Sequence, residues 1–295
     1  MSARTIRRAR PTRILLDVRG APMSRGWTVE ALPWERLCPE RVEPALLETV
    51  KTAALVEANS ADYVTYLCNV FPDDAAFREA AAHWGVEEAQ HGEALGRWAE
   101  RIDPSFNFAA SLAQFRAGYQ LPLDAQASVR GSRAGELVAR CVVESGTCSF
   151  YSALRDSTTE PVLKQICHSI AQDEAGHYQL FRLHLKRYLK GQPLGFGARL
   201  RIALGRVQET GDDELAYAYF AANVWPRGNV AYDRKACADA YWVRAMARYQ
   251  RQHVLSAARM IATAVDLAPG RRWLTWLADG LWRVLQWRLG RMQAA

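Results

Sequence analysis

Two copies of one short motif constrain the fold of this chain more than any other feature of its sequence. Residues 87–91 read EEAQH and residues 173–177 read DEAGH, so each copy is an acid followed by Glu-x-x-His. In an α-helix, residues three positions apart lie on the same face. Each copy therefore presents one glutamate and one histidine to a common ligand, provided that both segments are helical.

A single glutamate precedes each motif at nearly the same distance. Glu57 lies 31 residues before Glu88, and Glu144 lies 30 residues before Glu174, each within an apolar stretch of helical periodicity. A carboxylate that faces neighbouring helices is costly to bury unless another group compensates its charge. The two pairs therefore predict four helices that meet around a shared set of charged side chains.

The rest of the sequence agrees with an all-α fold. Helical periodicity predicts four long helices, and the segment 104–127 between prolines is predicted to be irregular or to carry a short helix. No convincing alternation of a strand and no Asn-Gly or Asp-Gly hairpin turn interrupts this pattern. The four predicted helices span residues 44–69, 74–101, 130–157 and 161–191.

The chain divides into three predicted regions. Residues 1–40 form a basic N-terminal arm that is expected to be partly disordered, and residues 41–191 form a four-helix bundle with a metal core. Residues 192–295 form a helical extension that is expected to pack on the bundle. Within it, the segment 191–211 is predicted to be a linker, and residues 213–292 are predicted to form two or three helices.

Four glutamates and two histidines on four helices are a ligand set for two metal ions. Ferritin-like bundles with two iron or two manganese ions use one Glu from each of two helices and a Glu-x-x-His from each of the others. Carboxylates with one imidazole per metal suit Fe²⁺, with Mn²⁺ as the alternative, and four carboxylates balance two divalent charges. One such motif arises easily by chance, but two in matched settings indicate a site. The predicted ligands are Glu57, Glu88, His91, Glu144, Glu174 and His177.

The acid before each Glu-x-x-His has a predicted role of its own. Metal-bound imidazoles usually donate their second N–H to a carboxylate. Asp173 and Glu87 are the candidates, and each is expected to reach the histidine of the other motif. The alternative for Glu87 is a solvated surface position.

Charge and cysteine content exclude several classes of protein. The net charge of +7 is concentrated at the ends, since residues 1–20 carry +5 and residues 271–295 carry +4, which leaves −2 for residues 21–270. That distribution argues against a nucleic-acid partner. The six cysteines form no CxxC pair, and no apolar run approaches the length of a membrane span. We therefore expect a cytoplasmic protein with reduced cysteines.

The last predicted helix interleaves tryptophans with arginines. Trp273, Trp276, Trp282 and Trp287 lie among five arginines. Such a helix either packs its tryptophans over the rest of the protein, which we favour, or lies on a membrane surface with its arginines on anionic lipid.

The segments around both motifs resemble the soluble acyl-acyl-carrier-protein desaturases. The likeness covers about residues 45–190 and extends beyond the ligands to Gln165-Ile166-Cys167 and His91-Gly92. The resemblance implies that the six predicted ligands hold two iron ions. It also implies a role in oxygen activation for Thr147, one helical turn after the third-helix glutamate, although a hydroxyl bonded to its own helix is an equal alternative.

The resemblance implies an O₂-dependent oxidation, either desaturation or hydroxylation, of an acyl or lipid-like substrate. An acidic acyl-carrier protein is then an expected partner. Such turnover needs two external electrons, and no flavin or nicotinamide fingerprint is present, so a ferredoxin or reductase is expected as the donor. The oligomeric state is open, with a homodimer as one option.

More distant relatives with the same ligand pattern leave other functions open. Ferritins and rubrerythrins store iron or remove peroxide without an organic substrate, and a third option is a tRNA-hydroxylating enzyme or an arylamine N-oxygenase. The N-oxygenases use an additional histidine on the fourth helix. His168 and His184 are the candidates here, and a surface or core position is favoured for His184.

Overall fold

The computed structural model describes residues 26–209, 213–228, 230–268 and 270–294, and its regular structure is helical. The predicted all-α class is confirmed, since none of these residues lies in a strand. Residues 1–25, which contain most of the predicted basic arm, lie outside the described residues. The helices are α1 (Pro44–Glu57), α2 (Ser60–Val70), α3 (Ala75–Ile102), α4 (Phe108–Gly118), α5 (Arg133–Ser157), α6 (Pro161–Gly191), α7 (Phe196–Gln208), α8 (Asp213–Tyr219), α9 (Arg234–Met246), α10 (Arg251–Ala264) and α11 (Arg272–Gln293).

The three longest helices of the first two-thirds of the chain begin at residues that cap their free N–H groups. The Asp74 carboxylate accepts from Phe77 N at the start of α3, and the Ser132 hydroxyl accepts from Gly135 N at the start of α5. Glu160 accepts from two backbone N–H groups of α6. These caps satisfy donors that a helix leaves without an internal partner, so they explain why α3, α5 and α6 begin where they do.

Two apolar clusters lie along the helices, one on each side of the Glu/His residues. On α3, one cluster includes Phe77 and Trp84 and the other includes Leu95 and Trp98. Helix α6 also contributes to both clusters, but along its sequence they follow each other in the opposite order. Helix α5 contributes to both clusters as well. Because α1 packs along α3, α5 packs along α6, and α3 contacts α6, the charged level is enclosed by apolar side chains above and below.

The predicted helix over residues 44–69 is wrong at one point, because α1 ends at Glu57 and α2 begins at Ser60. The two residues between them form a turn. Arg116 of α4 donates to the carbonyl oxygen of Ala58 over 2.7 Å and to the side-chain oxygen of Asn59 over 3.3 Å. No proline or glycine marks this break, since the partner that satisfies the freed carbonyl comes from a helix 58 residues further along the chain.

The expectations for the last third need two corrections. The predicted linker over residues 191–211 contains helix α7, which packs on α5. The region 213–292 has more helices than predicted, because residues 247–250 separate α9 from α10 and a π-helical turn, Phe220–Val224, extends α8. Helices α8 and α9 contact α1, and α10 packs on α5. The division into three regions stays a prediction.

Helix α11 only partly satisfies the prediction that its tryptophans pack. Its buried stripe holds Leu274, Ala278 and Leu289, with Trp282 half-buried. Trp276 is 73% exposed and Trp287 is 62% exposed, so packing does not account for them. No helix among the described residues is long and apolar enough to cross a bilayer.

Close contact between α1 and α3 depends on Gly92. A Cβ atom at this position would lie 2.5 Å from the backbone nitrogen of Ala58, closer than such atoms approach. Gly92→Ala must therefore separate the two helices, and we expect it to destabilise the metal-free protein by about 1–3 kcal/mol. Thermal unfolding followed by circular dichroism measures the change.

Gly205→Ala in α7 is the matched control, because nothing lies within 4 Å of the added methyl group. Replacing a glycine inside a helix by alanine is stabilising by about 0.5–1 kcal/mol. Equal melting temperatures for the two variants would contradict the packing described for Gly92.

Candidate metal centre

The structure brings the six predicted ligand residues together at one level of the fold. Glu57 is the last residue of α1, and Glu144 lies in the middle of α5. The Glu-x-x-His pairs lie on the inner faces of α3 and α6, as the three-residue spacing requires. All six side chains are buried, with none more than 8% exposed.

These residues form two overlapping groups, each able to hold a metal ion. Within each group, one ligand atom from every residue lies within 4.8 Å of the others. Glu88 and Glu174 belong to both groups, so these two carboxylates are placed to bridge a pair of ions. The first group is Glu57, Glu88, His91 and Glu174, and the second is Glu88, Glu144, Glu174 and His177.

Each histidine turns its Nδ1 atom toward the carboxylates. His91 Nδ1 lies 3.2 Å from Glu88 and 3.4 Å from Glu174. His177 Nδ1 lies 3.1 Å from Glu88 and 3.8 Å from Glu144. Nδ1 is therefore the nitrogen of each ring that is available to a metal ion.

The opposite nitrogen of each ring meets the acid of the other motif. His91 Nε2 lies 3.2 Å from Asp173, and His177 Nε2 lies 2.8 Å from Glu87. An Nε2–H that donates to a carboxylate leaves the Nδ1 lone pair free. The acids that precede Glu-x-x-His thus orient the histidines across the α3–α6 contact.

Burial raises the pKa of the two carboxyls that belong to only one group. The pKa of Glu57 lies well above its ordinary value because the group is desolvated and faces Glu88. Desolvation and the charge of Glu174 raise the pKa of Glu144 in the same way. The pKa of Glu88 is instead low, since the charge of His177 and hydrogen bonds outweigh its desolvation.

The histidines are held in their protonated form when no metal is present. Burial would lower the pKa of His91, but hydrogen bonds with Asp173 and Glu174 raise it well above the ordinary value. The pKa of His177 is also raised, because Glu88 and Glu174 outweigh its desolvation. Protons and metal ions therefore compete for the same two Nδ1 atoms.

The donor set fits two hard divalent cations. His177 Nδ1, Glu144 Oε1 and Glu174 Oε1 are buried, and none of them makes a well-aligned hydrogen bond, although other atoms of the site lie close by. Buried polar atoms rarely lack a partner, and each exception calls for an explanation such as an ion. Four carboxylates would neutralise two divalent charges, which accounts for this concentration of acids in the interior.

Thr147 lies at this centre as well as bonding to its own helix. Its hydroxyl is within hydrogen-bond reach of Glu174 Oε2. It is also 3.3 Å from the carbonyl oxygens of Val143 and Glu144. The two alternatives considered for Thr147 are therefore compatible in this geometry.

Two aromatic residues that the sequence analysis did not single out also contact the centre. Trp27 stacks parallel to the His91 ring at 6.1 Å between centroids, and its indole N–H donates to Asp173 over 2.7 Å. The Tyr151 hydroxyl donates to Glu57 over 2.5 Å. Tyr151 lies seven residues after Glu144, hence on the same face of α5, but no local signal marks Trp27.

The two additional histidines do not join either metal group. His168 is exposed and lies 2.8 Å from Gln172. His184 packs edge-on against Phe77, and its Nδ1 accepts from Arg187 over 2.8 Å. Neither His168 nor His184 therefore provides an additional histidine ligand from α6.

A small cavity reaches the centre from one side. Its volume is about 70 Å³, and its lining includes Glu57, Glu88, Glu144 and Thr147. A second cavity of about 140 Å³ shares four polar residues with it: Tyr63, Arg140, Arg206 and Glu214. Access to the metal groups from this side therefore passes charged and hydroxyl side chains.

Metal content tests the two overlapping groups. We expect wild-type protein loaded anaerobically with Fe²⁺, or with Mn²⁺, to retain about two ions per chain. Glu174→Ala removes a ligand from both groups and should lose both ions, whereas Glu144→Ala should retain about one. Elemental analysis after gel filtration measures the content.

His168→Gln is the control for these variants, because the ring is exposed and outside both groups. It should retain the wild-type metal content. Equal retention by Glu174→Ala and His168→Gln would show that the buried carboxylates do not hold the ions.

The pH dependence of stability tests the surroundings of His184. Burial and the charge of Arg187 lower the pKa of His184 to about 4, whereas the unfolded chain has the ordinary value near 6.5. The stability due to the neutral ring is therefore complete above about pH 6.5 and is lost as the pH falls toward 4. We expect His184→Gln to reduce the loss of stability between pH 7.5 and pH 5 by about 1 kcal/mol, after allowance for partial exposure.

Thermal or urea unfolding of the metal-free protein at both pH values measures this difference. His168→Gln on the same helix is the control and should leave the pH dependence close to wild type. An identical pH dependence for wild type and His184→Gln would contradict the buried neutral ring.

Comparison with known proteins finds no match for this chain. No protein-family model matches the chain, and no curated protein is significantly similar to it. The functional conclusion therefore rests on the residues of the metal centre and their surroundings.

Proposed function

We propose that this chain is an O₂-dependent oxidoreductase with two iron ions in a ferritin-like bundle formed by α1, α3, α5 and α6. The observation that carries the proposal is the pair of overlapping groups with Glu88 and Glu174 in common. The two groups would hold two ions that share Glu88 and Glu174, the ligand arrangement of ferritin-like bundles. Mn²⁺ is the alternative occupant, because it takes the same oxygen and imidazole ligands.

Two ferrous ions held there would supply two electrons to O₂, and a second pair must come from an external donor or a substrate. The protein contributes geometry and protons. Asp173 and Glu87 orient the two imidazoles, and Trp27 covers the His91 side of the centre. The hydroxyl groups of Thr147 and Tyr151 lie against ligand carboxylates, so each is placed to donate a hydrogen bond where charge changes during reaction.

The cavity favours a small substrate over an extended acyl chain. Its volume of about 70 Å³ is well below the roughly 300–1,000 Å³ of ordinary organic-ligand pockets. Arg140 and Glu214 line it, and the indole N–H of Trp84 in the same lining makes no hydrogen bond. A compact molecule that carries a hydrogen-bond acceptor fits this space better than an extended acyl chain does.

The same cavity supports a second candidate, the reduction of O₂ or peroxide without an organic substrate. A volume of about 70 Å³ holds only a few water-sized molecules, which is sufficient for this chemistry. The two candidates share the metal centre and the need for an external electron donor, a ferredoxin or reductase. They differ in whether an organic molecule is consumed along with O₂.

Two other options have less support. An arylamine N-oxygenase would need a further histidine ligand, and neither His168 nor His184 is placed to serve. A tRNA-modifying enzyme would need a basic face on the bundle, whereas residues 21–270 carry a net charge of −2. An acyl-carrier protein stays a possible partner only if the cavity opens further than it does here.

Oxygen uptake by iron-loaded protein tests the proposal. Anaerobically loaded wild type should consume O₂ within minutes, and Thr147→Val should slow the uptake about 10- to 100-fold because a hydrogen-bond donor at Glu174 is lost. An oxygen electrode measures uptake, and a peroxide assay measures the H₂O₂ that is released or consumed.

Thr65→Val is the matched control, because the Thr65 hydroxyl also bonds to its own helix but lies exposed and away from the metal groups. It should leave the rate unchanged. Uptake by wild type no faster than that of the metal-poor Glu174→Ala variant would refute the proposal. Uptake that depends on an added small acceptor-bearing molecule would favour substrate oxidation over peroxide removal.

A further inference from the structure

Helix α11 has two apolar faces, and the fold uses only one of them. The stripe that includes Leu274, Ala278 and Leu289 is buried, and α11 packs against α9 and α10. A second face carries side chains that are 45–73% exposed. Its members are Trp276, Leu277, Leu281, Val284 and Trp287.

The exposed residues form a continuous surface. At 100° per residue they fall within a sector of about 140°, and Trp273, which is 38% exposed, lies in the same sector. Single exposed apolar residues are common on soluble proteins, but a contiguous patch with two exposed tryptophans marks an interaction surface. We name these six residues the tryptophan face.

Arginines border this face along one edge and at its C-terminal end. Arg272 and Arg283 fall along one edge of the sector, and Arg288 and Arg291 lie at its C-terminal end. The only acid in residues 271–294 is Asp279, and it is paired with Arg251. The surface around the tryptophan face is therefore strongly positive, which requires a partner that is apolar at its centre and negative at its rim.

A groove beside the C-terminal half of α11 extends the positive surface. It has a volume of about 540 Å³ between α9 and α11, and its lining includes Arg288 and Arg291. Two further cations of the lining are already paired, Lys235 with Asp239 and Arg244 with Glu48. The guanidinium of Arg291 lies 5.0 Å from the centre of the Trp287 ring, so the groove adjoins the tryptophan face. It can receive phosphate groups while the tryptophans enter an apolar layer.

We propose that α11 binds the surface of a membrane that contains anionic lipid, lying parallel to it with the tryptophan face in the headgroup region. Indole rings favour the boundary between water and hydrocarbon, and arginines on the flanks bind lipid phosphates. Charge complementarity favours this occupant over a second copy of the chain, because two copies of α11 would bring their arginines together.

Flotation with lipid vesicles tests the proposal on the full-length protein. We expect binding to vesicles of phosphatidylcholine with one-third phosphatidylglycerol at 0.1 M NaCl, and at least tenfold weaker binding to phosphatidylcholine alone. The double variant Trp276→Ser/Trp287→Ser should lose binding to both. Arg288→Gln/Arg291→Gln should lose at least fivefold on the anionic vesicles only.

Val129→Ser/Leu204→Ser is the matched control, since these side chains are 66% and 55% exposed but lie outside α11. This variant should bind like wild type. Light scattering after gel filtration and circular dichroism accompany each variant, so that loss of fold is separated from loss of binding. A blue shift of tryptophan emission on addition of anionic vesicles, absent in the double tryptophan variant, is the second expected result.

Three outcomes overturn the proposal. In the first, wild type does not bind anionic vesicles, and in the second, the control variant loses as much binding as the tryptophan variant. In the third outcome, wild type is a dimer that becomes a monomer in Trp276→Ser/Trp287→Ser and ignores vesicles, which would make the tryptophan face an interface between copies.

Discussion

The structure depends on how four carboxylates and two imidazoles are accommodated in an apolar interior. Desolvation raises the pKa of Glu57 and Glu144, and contacts with the acids raise the pKa of both histidines. Such a set of like charges is unfavourable unless protons or cations neutralise it. The apolar clusters on either side of this level hold the ligands in place, so the surrounding packing keeps the groups close despite their repulsion.

The metal centre also requires helix α1 to lie close to helix α3. Gly92 lets the backbone of α3 reach Ala58, directly after Glu57, and the turn that ends α1 there is stabilised by Arg116 from α4. These contacts therefore both end helix α1 and position the predicted ligand Glu57 at that end. On the other side, Trp27 bonds to Asp173, which orients His91. One side of the centre is therefore covered by an aromatic ring, while the other opens to a small cavity.

Much of this organisation was predictable from local patterns. The caps at Asp74, Ser132 and Glu160 and the helical periodicity indicate α3, α5 and α6, because capping and periodicity involve residues close in sequence. The break at residues 58–59 and helix α7 were not predicted. The break depends on a hydrogen bond from Arg116, which is distant in sequence. Helix α7 begins at Phe196, and the preceding Gly195 has no side chain that could cap it.

The sequence by itself determined which residues can hold metal ions, because the i, i+3 spacing of Glu and His and the matched lone glutamates are local properties of four helices. Only the tertiary structure decided that Glu88 and Glu174 are shared between two groups and that the cavity beside them is small. It also decided which face of α11 is left exposed. Those features depend on the distances and angles between helices. Packing among residues that are far apart in the chain sets these distances and angles.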